Sequence, residues 1–408
     1  MLKVGIMKLI EREDYGKRLA AVMRTPDIKV LCGVRRAGKS KLLSETARRI
    51  GKSDEKANII FIDLTLLKNE KLKEYHALND FVTKHTKKSA RNYLFIDEVQ
   101  LCKDFELAIN SLHGTGKYDI YLTGSNAFLL SSDLSTLFTG RHIETRVYPF
   151  SFREFRKYFA REKDVDRAFD SYVTEGGLAG SYTYGGEQER KAYRQEVYRT
   201  IIRRDIAQRF KLQGSVVLER LAEFLMDNVG NITSANNIAE LLLKHKVITN
   251  HVTVGNYLSY LTQAFLFCEI GRYDVRGKKY LEQSGKYYLI DHAFRYAVLG
   301  KRNLDYGHVY ENIVCLELLR RGYDVYVGKL YKKEIDFVAM KGSEKLYIQV
   351  SDDISSEATL ARDTQPLLQI KDAYPKMLLA RTRHDEYDRD GIRIIDIARW
   401  LNAPSSAT

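Results

Sequence analysis

The sequence contains few cysteines and no long apolar run, and both absences exclude whole classes of protein. Its 408 residues include only 4 cysteines, widely separated and without metal-binding spacing. We therefore expect reduced thiols in the core of a cytoplasmic protein, not a disulfide framework or a zinc site. No apolar stretch approaches the ~20 residues of a membrane-spanning helix, and residues 1–12 lack the apolar segment of a secretory signal. The cysteines are Cys32, Cys102, Cys268 and Cys315.

Acidic residues are outnumbered by basic ones. The chain has 66 Lys and Arg against 53 Asp and Glu, for a formal net charge of +13. This excess favours an anionic partner, nucleic acid first, with a generally basic surface as the alternative. The 27 tyrosines, many in basic surroundings, suit base stacking as well as amphipathic packing. With 44% hydrophobic residues, the chain has the composition of a folded soluble protein, and we expect no membrane partner.

One stretch matches a nucleotide-binding loop over its whole length. Residues 33–40 read Gly-Val-Arg-Arg-Ala-Gly-Lys-Ser, between the apolar run 28–32 and a helical pattern. This is the P-loop context, in which glycines let backbone N–H groups face phosphate, and it disfavours an ordinary turn. We expect Lys39 to reach the β- and γ-phosphates of ATP and the Ser40 hydroxyl to bind Mg²⁺. The predicted nucleotide-binding residues are Gly33, Arg35, Arg36, Ala37, Gly38, Lys39, Ser40 and Lys41.

A second buried strand ends in two acidic residues. Residues 93–98 read Tyr-Leu-Phe-Ile-Asp-Glu, and such an apolar run without alternation fits a strand covered on both faces. Ligands of these sheets bind beyond the carboxyl ends of the strands. We therefore predict that Asp97 holds Mg²⁺ together with Ser40. Glu98 is predicted to orient and deprotonate the attacking water.

Two further catalytic candidates have open alternatives. Ser125 and Asn126 follow the strand pattern 119–124; Asn126 is predicted to position water or sense the γ-phosphate, and a turn-forming Ser-Asn pair is the alternative. Arg141 precedes the next strand. It is predicted to contact a nucleotide held by a neighbouring subunit, which implies a homo-oligomer, and a solvated arginine is the alternative. The predicted catalytic residues are thus Lys39, Glu98, Asn126 and Arg141.

The order of strands and helices predicts an α/β protein with four domains. Strands alternating with helices over 1–150 indicate a parallel P-loop sheet. A helical lid at 151–212 is followed by three helices and a basic hairpin at 213–298, in the outline of a winged helix, and by a small α/β domain at 299–408. Ser234 and Thr253 are predicted N-caps. The third helix would enter a DNA major groove, with protein contacts as the alternative. Its predicted contact residues are His251, Thr253, Asn256, Tyr257 and Tyr260, beside a basic turn over 276–279.

The motifs together resemble those of prokaryotic ATPases of the AAA+ superfamily, in the group with a DUF4143-type C-terminal domain. The resemblance covers essentially the whole chain. It departs at residues 177–179, which read Gly-Leu-Ala where relatives usually carry Pro after the apolar residue. It implies ATP and Mg²⁺ as cofactors. The motifs that carry it are at 33–40, 95–100 (Phe-Ile-Asp-Glu-Val-Gln), 122–126 (Leu-Thr-Gly-Ser-Asn), 140–141 (Gly-Arg), 148–155 (Tyr-Pro-Phe-Ser-Phe-Arg-Glu-Phe) and 334–337 (Glu-Ile-Asp-Phe).

The C-terminal domain resembles the restriction-endonuclease-like fold, whose nucleases hold Mg²⁺ with a helix Glu, a strand Asp and a Glu-x-Lys. Glu311 and Asp336 fit the first two positions, whereas residues 349–351 read Gln-Val-Ser. We therefore expect a scaffold that binds and does not cut. The two acids also have an explanation without metal, in which Glu311 caps or pairs near Arg320 or Lys333, and Asp336 pairs with Lys332 or Lys333.

These observations favour a Mg²⁺-dependent ATPase that couples its nucleotide state to binding or remodelling of a partner. DNA is the first candidate for that partner, and a protein is the second. One competing hypothesis is an ATP-regulated nuclease, against which the Gln-Val-Ser stretch argues. Another is a nucleotide-sensing DNA-binding regulator that does not hydrolyse ATP, against which Glu98 argues.

Overall fold

A computed structural model of the chain describes residues 9–124, 138, 140–300 and 305–404. The described residues form two compact units. One is Glu11–Val147, and the other contains the described residues before Glu11 together with those from Tyr148 onward. No helix within the described ranges is both long enough and apolar enough to cross a membrane. All four cysteines are buried and free of disulfide bonds.

The first unit is a parallel five-stranded sheet alternating with helices, as the sequence predicts. The strand order is β2-β3-β4-β1-β5, so only β4 separates the P-loop strand from the strand that ends in two acids. The strands are β1 (Ile28–Cys32), β2 (Ala57–Asp63), β3 (Arg91–Asp97), β4 (Tyr118–Thr123) and β5 (His142–Arg146). The helices are α1 (Glu13–Ala21), α2 (Lys39–Ser53), α3 (Tyr75–Lys84) and α4 (Phe105–Gly114).

Burial along the strands follows their position in the sheet. Every residue of β1 is buried, and in β3 only Arg91 is exposed, as expected for strands covered on both faces. The sequence also predicts a buried strand over 58–64, but β2 lies at the sheet edge and alternates, with Phe61 exposed. Even Lys29 is buried in β1, because its ammonium donates to Asp119 Oδ1 at 2.5 Å and to Thr25 O at 2.6 Å.

The second unit contains an eight-stranded mixed sheet in the order β12-β13-β11-β10-β9-β8-β6-β7. Its strands are β6 (Phe267–Asp274), β7 (Lys279–Leu289), β8 (Asp324–Leu330), β9 (Lys333–Lys341), β10 (Glu344–Ser351), β11 (Lys376–Ala380), β12 (Tyr387–Arg389) and β13 (Ile392–Asp396). Its helices are α5 (Phe152–Tyr158), α6 (Val165–Glu175), α7 (Glu187–Thr200), α8 (Val216–Asp227), α9 (Ala235–Lys244), α10 (His251–Gln263), α11 (Ala293–Leu299), α12 (Tyr306–Arg321), α13 (Glu357–Leu368) and α14 (Ile397–Asn402). A π-helical segment, Ile201–Gln208, continues α7.

The β6–β7 hairpin is part of this sheet and does not stand apart as a wing. β6 pairs in parallel with β8 over Arg272–Asp274, and β7 pairs with the other side of β6. The predicted boundary between residues 298 and 299 therefore falls within one sheet. Local patterning indicates that these segments are strands, but it does not indicate which strands pair across long sequence separations.

Two consecutive glycines, Gly176 and Gly177, allow three segments of the second unit to meet. A Cβ on Gly176, which has φ of 65°, would lie 2.0 Å from Asp291 Oδ1. A Cβ on Gly177 would lie 2.4 Å from Phe150 O. The backbone of Gly177 donates to Asp291 Oδ2 at 2.9 Å and accepts from Phe150 N at 2.8 Å. The absence of a side chain at these two glycines lets the three backbone segments pack closely. The resemblance at 148–155 and 177–179 therefore partly reflects packing and not catalysis.

Candidate nucleotide site

The loop between β1 and α2 has backbone geometry that requires glycine at its start. Gly33 has φ of 134°, and a Cβ there would lie 2.3 Å from the carbonyl oxygen of Val147. Gly38, with φ of 97°, is the N-cap of α2. The loop therefore leads directly into a helix N-terminus, where backbone N–H groups and the helix dipole favour an anion.

Lys39 is folded back onto this loop. Its side chain is buried, and its ammonium donates to Gly33 O at 2.7 Å and to Val34 O at 3.0 Å. The ammonium therefore lies against the loop, at the position from which a P-loop lysine reaches the phosphates of a nucleotide.

The predicted nucleotide-binding residues include three further basic side chains. Arg35 is half-buried, whereas Arg36 and Lys41 are exposed. The buried Arg12 also donates to the loop, through Nη1 to Ala37 O at 3.0 Å. Arg12 was not predicted, because no spacing rule connects a residue so far before the P-loop strand to the loop.

Two hydroxyls meet the carboxylate of Asp97 at the ends of β3 and β4. The Thr123 hydroxyl donates to Asp97 Oδ1, and the Ser40 side chain also hydrogen-bonds to this carboxyl. Burial raises the pKa of Asp97, and the two hydroxyls counteract that rise. Hydroxyl and carboxylate oxygens are the donors that Mg²⁺ prefers, so this donor set fits the predicted ion. Thr123 was not among the predicted residues, although it lies in the quoted strand motif.

Glu98 is held in a rare backbone conformation next to Asp97. Its φ of 54° is positive, which is uncommon for a residue with a Cβ and concentrates at functional sites. Its backbone N–H donates to Thr123 Oγ1 at 3.0 Å, and its carboxylate accepts from the Gln100 side-chain amide. Thr123 and Gln100 therefore position the acid at the carboxyl edge of the sheet.

Arg141, the predicted residue that would act on a neighbouring subunit, does not join this group. Arg141 is exposed, and its carbonyl accepts from Ile28 N at 3.0 Å, at the amino end of β1. The P-loop follows the carboxyl end of β1, roughly 13 Å away at about 3.3 Å per residue. Arg141 therefore lies at the amino ends of the strands, whereas the P-loop of the same chain lies at their carboxyl ends. Ser125 and Asn126 lie outside the described residues.

The predicted nuclease-like residues come together, but around a different cation from those expected. Glu311 and Asp336 both lie near the buried ammonium of Lys286 on β7. Arg320, one of the two basic residues considered for Glu311, pairs with Glu317 at 2.5 Å. Lys286 was missed because it is distant in sequence from the acids it contacts.

The α8–α10 helices and the β6–β7 hairpin follow the order that a winged helix requires, and that assignment stays a prediction. Ser234 caps α9 as predicted, but the N-cap of α10 is Asn250, whose Oδ1 accepts from Thr253 N at 2.9 Å. The Tyr260 ring stacks on Phe210 with centroids 3.7 Å apart, so packing occupies one predicted DNA contact. Exposed residues near the start of α10 include Lys244, His245, Lys246, His251, Leu243, Ile248 and Val252.

Two protein-family models match different parts of the chain. Residues 25–156 match the model of an AAA domain, and residues 166–305 match that of a domain of unknown function, DUF8612. The AAA domain match includes the P-loop, Asp97 and Glu98. The match over 166–305 is to a model other than DUF4143, so the DUF4143-type assignment stays a prediction.

Similar proteins and solved structures align with most of the chain. An uncharacterized protein of Haemophilus influenzae is 36% identical over 400 residues, covering 96% of this chain and 98% of its own. An uncharacterized protein of Methanocaldococcus jannaschii is 28% identical over 343 residues, covering 79% and 74%. Among solved structures, the Aeropyrum pernix ORC1 protein in complex with DNA aligns at 12% identity and a TM-score of 0.33, covering 78% of this chain and 95% of its own. AMPPCP-bound DnaA from Aquifex aeolicus aligns at 14% and 0.33, covering 64% and 92%.

Proposed function

The chain belongs to the same family as the Haemophilus influenzae protein and carries an AAA domain, and on that premise we propose that it is a Mg²⁺-dependent ATPase of the AAA+ superfamily. The most direct support is that a cation and a set of oxygen donors both lie at the carboxyl ends of the strands. Lys39 provides the cation, and Ser40 with Asp97 provides the oxygen donors.

In the proposed mechanism, the loop N–H groups and Lys39 neutralise the β- and γ-phosphates. The Lys39 ammonium exchanges the carbonyls of Gly33 and Val34 for phosphate oxygens, which are better acceptors because they are charged. Ser40 and Asp97 would hold Mg²⁺ directly or through water, and the ion would neutralise charge that develops on the phosphate oxygens.

Glu98 accepts the proton of the attacking water in this proposal. Its carboxylate lies beside Asp97 at the strand end, with Gln100 fixing its orientation. Asn126 is proposed to position the same water. Because Arg141 lies at the far edge of its own sheet, it is proposed to complete the site of a neighbouring subunit, so the active form would be a homo-oligomer.

We propose that nucleotide state is coupled to DNA binding in the second unit. The turn between β6 and β7 presents Arg276, Lys278 and Lys279 to solvent, and exposed basic side chains bind phosphate without reading sequence. A protein partner is the second candidate, because Leu243, Ile248 and Val252 are exposed near the start of α10. Such aliphatic groups suit a protein surface better than a DNA backbone.

Phosphate release from ATP by the full chain tests this function. It should be measured with Mg²⁺ and with EDTA, each in the presence and absence of duplex and single-stranded DNA. We expect Mg²⁺-dependent release that one form of DNA changes. ATP binding without release would favour the non-hydrolysing regulator, and release that no DNA alters would favour a protein partner.

A further inference from the structure

Two neighbouring hairpin turns of the second unit each carry a tyrosine within a run of basic residues. The β6–β7 turn reads Arg-Gly-Lys-Lys-Tyr over 276–280, and the β8–β9 turn reads Lys-Leu-Tyr-Lys-Lys over 329–333. Because β6 pairs in parallel with β8, both turns lie at the same end of the sheet. The backbone N–H of Val275 donates to Lys329 O at 3.0 Å, which ties one turn to the other.

The tyrosines of both turns are exposed, and other side chains support their rings. Tyr280 and Tyr331 are each 60% exposed. The Tyr280 ring packs against those of Tyr273 and Tyr326, with centroids 5.5 and 5.0 Å away. The Arg276 guanidinium lies over the Tyr331 ring, 5.0 Å from its centroid. Each tyrosine therefore rests against other side chains and still offers ring surface to a stacking partner.

The β8–β9 turn has a backbone conformation that tyrosine rarely adopts. Leu330 pairs with Lys333, so Tyr331 and Lys332 form a two-residue turn. Such turns favour Asn or Gly because their φ angles are positive, and Tyr331 has φ of 56°. Lys278 in the other turn likewise has φ of 50°. Residues with a Cβ in this region are uncommon and concentrate at functional sites, so these two side chains point to a function at the turns.

Basic side chains dominate the surface around the two rings. Asp274 and Glu334, the acids at the adjoining strand ends, are both engaged. Asp274 Oδ1 accepts from the backbone N–H groups of Arg276 and Gly277, at 3.1 and 2.9 Å, and Glu334 pairs with the buried ammonium of Lys286 at 2.5 Å. The exposed basic side chains of the two turns, none of which forms an ion pair with another described residue, are Arg276, Lys278, Lys279 and Lys332.

We propose that the two turns form a binding surface for single-stranded DNA. This inference rests on the DNA partner proposed above and specifies its form. Tyr280 lies on β7 and Tyr331 follows β8, two strands and roughly 10 Å away, so each ring stacks on a different base. The exposed basic side chains contact the phosphates.

The aromatic rings are the reason for the preference for a single strand. Exposed rings on a basic surface bind single strands because every unpaired base offers a face for stacking. In a duplex both faces of a base are covered by the neighbouring base pairs. The two tyrosines then gain no stacking partner, and only the phosphate contacts remain.

The test measures DNA affinity of the full chain by fluorescence anisotropy, without nucleotide. The probes are a labelled single strand of mixed sequence, the same strand annealed to its complement, and an abasic strand of the same length. We expect the single strand to bind about 10-fold or more tighter than the other two, because only it offers unpaired bases.

Variants of the two tyrosines locate the stacking. Tyr280→Ala and Tyr331→Asn should each weaken single-strand binding by about 5- to 100-fold and leave duplex binding unchanged. Asparagine suits the positive φ of the turn, so the second variant keeps the hairpin folded. Tyr331→Phe keeps the ring and should bind like the parental chain.

Two further variants separate stacking from charge and from general effects. Lys278→Ala should lower the salt dependence of single-strand binding by about one contact, whereas the tyrosine variants should leave it unchanged. Tyr387→Ala removes a tyrosine that is 38% exposed on β12, at the opposite edge of the same sheet. It should not alter DNA binding.

The possible failures of this inference and of the proposed function are distinguishable. Duplex or abasic binding as tight as that of the single strand would overturn the inference alone, as would parental single-strand affinity in Tyr280→Ala and Tyr331→Asn. Absence of binding to every probe at low salt would contradict the DNA partner as well. Mg²⁺-dependent phosphate release from ATP is a separate measurement that none of these results decides.

Discussion

Two buried lysines, one in each unit, have opposite electrostatic surroundings. The ammonium of Lys39 donates to the backbone carbonyls of Gly33 and Val34. That of Lys286 lies among carboxylates. The two side chains are 4% and 2% exposed, so burial does not distinguish them. The chemical type of these acceptors does distinguish them: those of Lys39 are backbone carbonyls of the predicted P-loop, whereas those of Lys286 are carboxylates that neutralise its charge.

The largest effect that this comparison predicts is the loss of nucleotide binding in Lys39→Ala. The substitution removes the main counter-charge of the phosphates, while the loop carbonyls lose only a donor. We expect no measurable ATP binding by calorimetry. Lys52→Ala, at the exposed end of the same helix, is the matched control and should bind normally. Unchanged ATP affinity in a folded Lys39→Ala would remove the P-loop assignment.

A fall in ATP turnover of about 10³-fold or more is expected for Arg141→Ala, with ATP affinity unchanged, if this arginine acts across a subunit interface. Mixing the variant with Lys39→Ala is the informative control. A subunit with intact Arg141 could then complete the site of one with an intact P-loop. Partial recovery of turnover on mixing supports action in trans, and parental turnover in Arg141→Ala alone contradicts it.

Glu98→Gln should lower ATP turnover by about 10² to 10⁴-fold while ATP still binds. The amide keeps the size of the side chain but cannot accept a proton from water. Steady-state phosphate release and ATP affinity are the two measurements. Glu106→Gln, in the first turn of α4, controls for the loss of one acid in the same unit. Turnover at the parental rate would exclude Glu98 as the base.

DNA affinity should weaken with salt, because binding to phosphate releases counterions. If the three basic residues of the turn, Arg276, Lys278 and Lys279, each contact one phosphate, affinity should fall about 40-fold between 50 and 200 mM salt. Lys278→Ala should reduce the slope by about one contact. Fluorescence anisotropy with a labelled duplex measures both. No affinity at low salt would indicate that this surface binds a protein.

The contrast between the two lysines also explains what could be predicted from the sequence. Lys39 and its acceptors lie within one loop, and Asp97 and Glu98 end one strand, so local patterns suffice for them. The partners of Lys286 come from β9 and α12, and β6 pairs with β8 across the boundary predicted at residue 298. Such contacts depend on tertiary packing, which periodicity does not encode. Thr123 and Gln100 were missed because each acts by orienting another group, and Arg12 was missed because no spacing rule connects it to the P-loop.

The smallest expected effect is an absence: we predict no Mg²⁺-dependent DNA cleavage by the second unit. A nuclease must stabilise new negative charge on the phosphate while a hydroxide forms beside it. Here Lys286 already engages Glu311, and the side-chain oxygen of Gln349 accepts from Asp336 N at 3.4 Å. The carboxylates are therefore neutralised by an ammonium group, which cannot activate water as a metal ion does.

Restoring the missing pair with Gln349→Glu and Ser351→Lys should therefore also leave DNA intact, because Lys286 still neutralises the carboxylates. Adding Lys286→Ala to that pair is the change that frees the carboxylates for Mg²⁺ or Mn²⁺. Supercoiled plasmid incubated with each ion distinguishes these variants, since a single nick changes its mobility. If the parental chain cuts the plasmid and Asp336→Ala stops it, the ammonium of Lys286 does not close the site, and the ATP-regulated nuclease becomes the leading function.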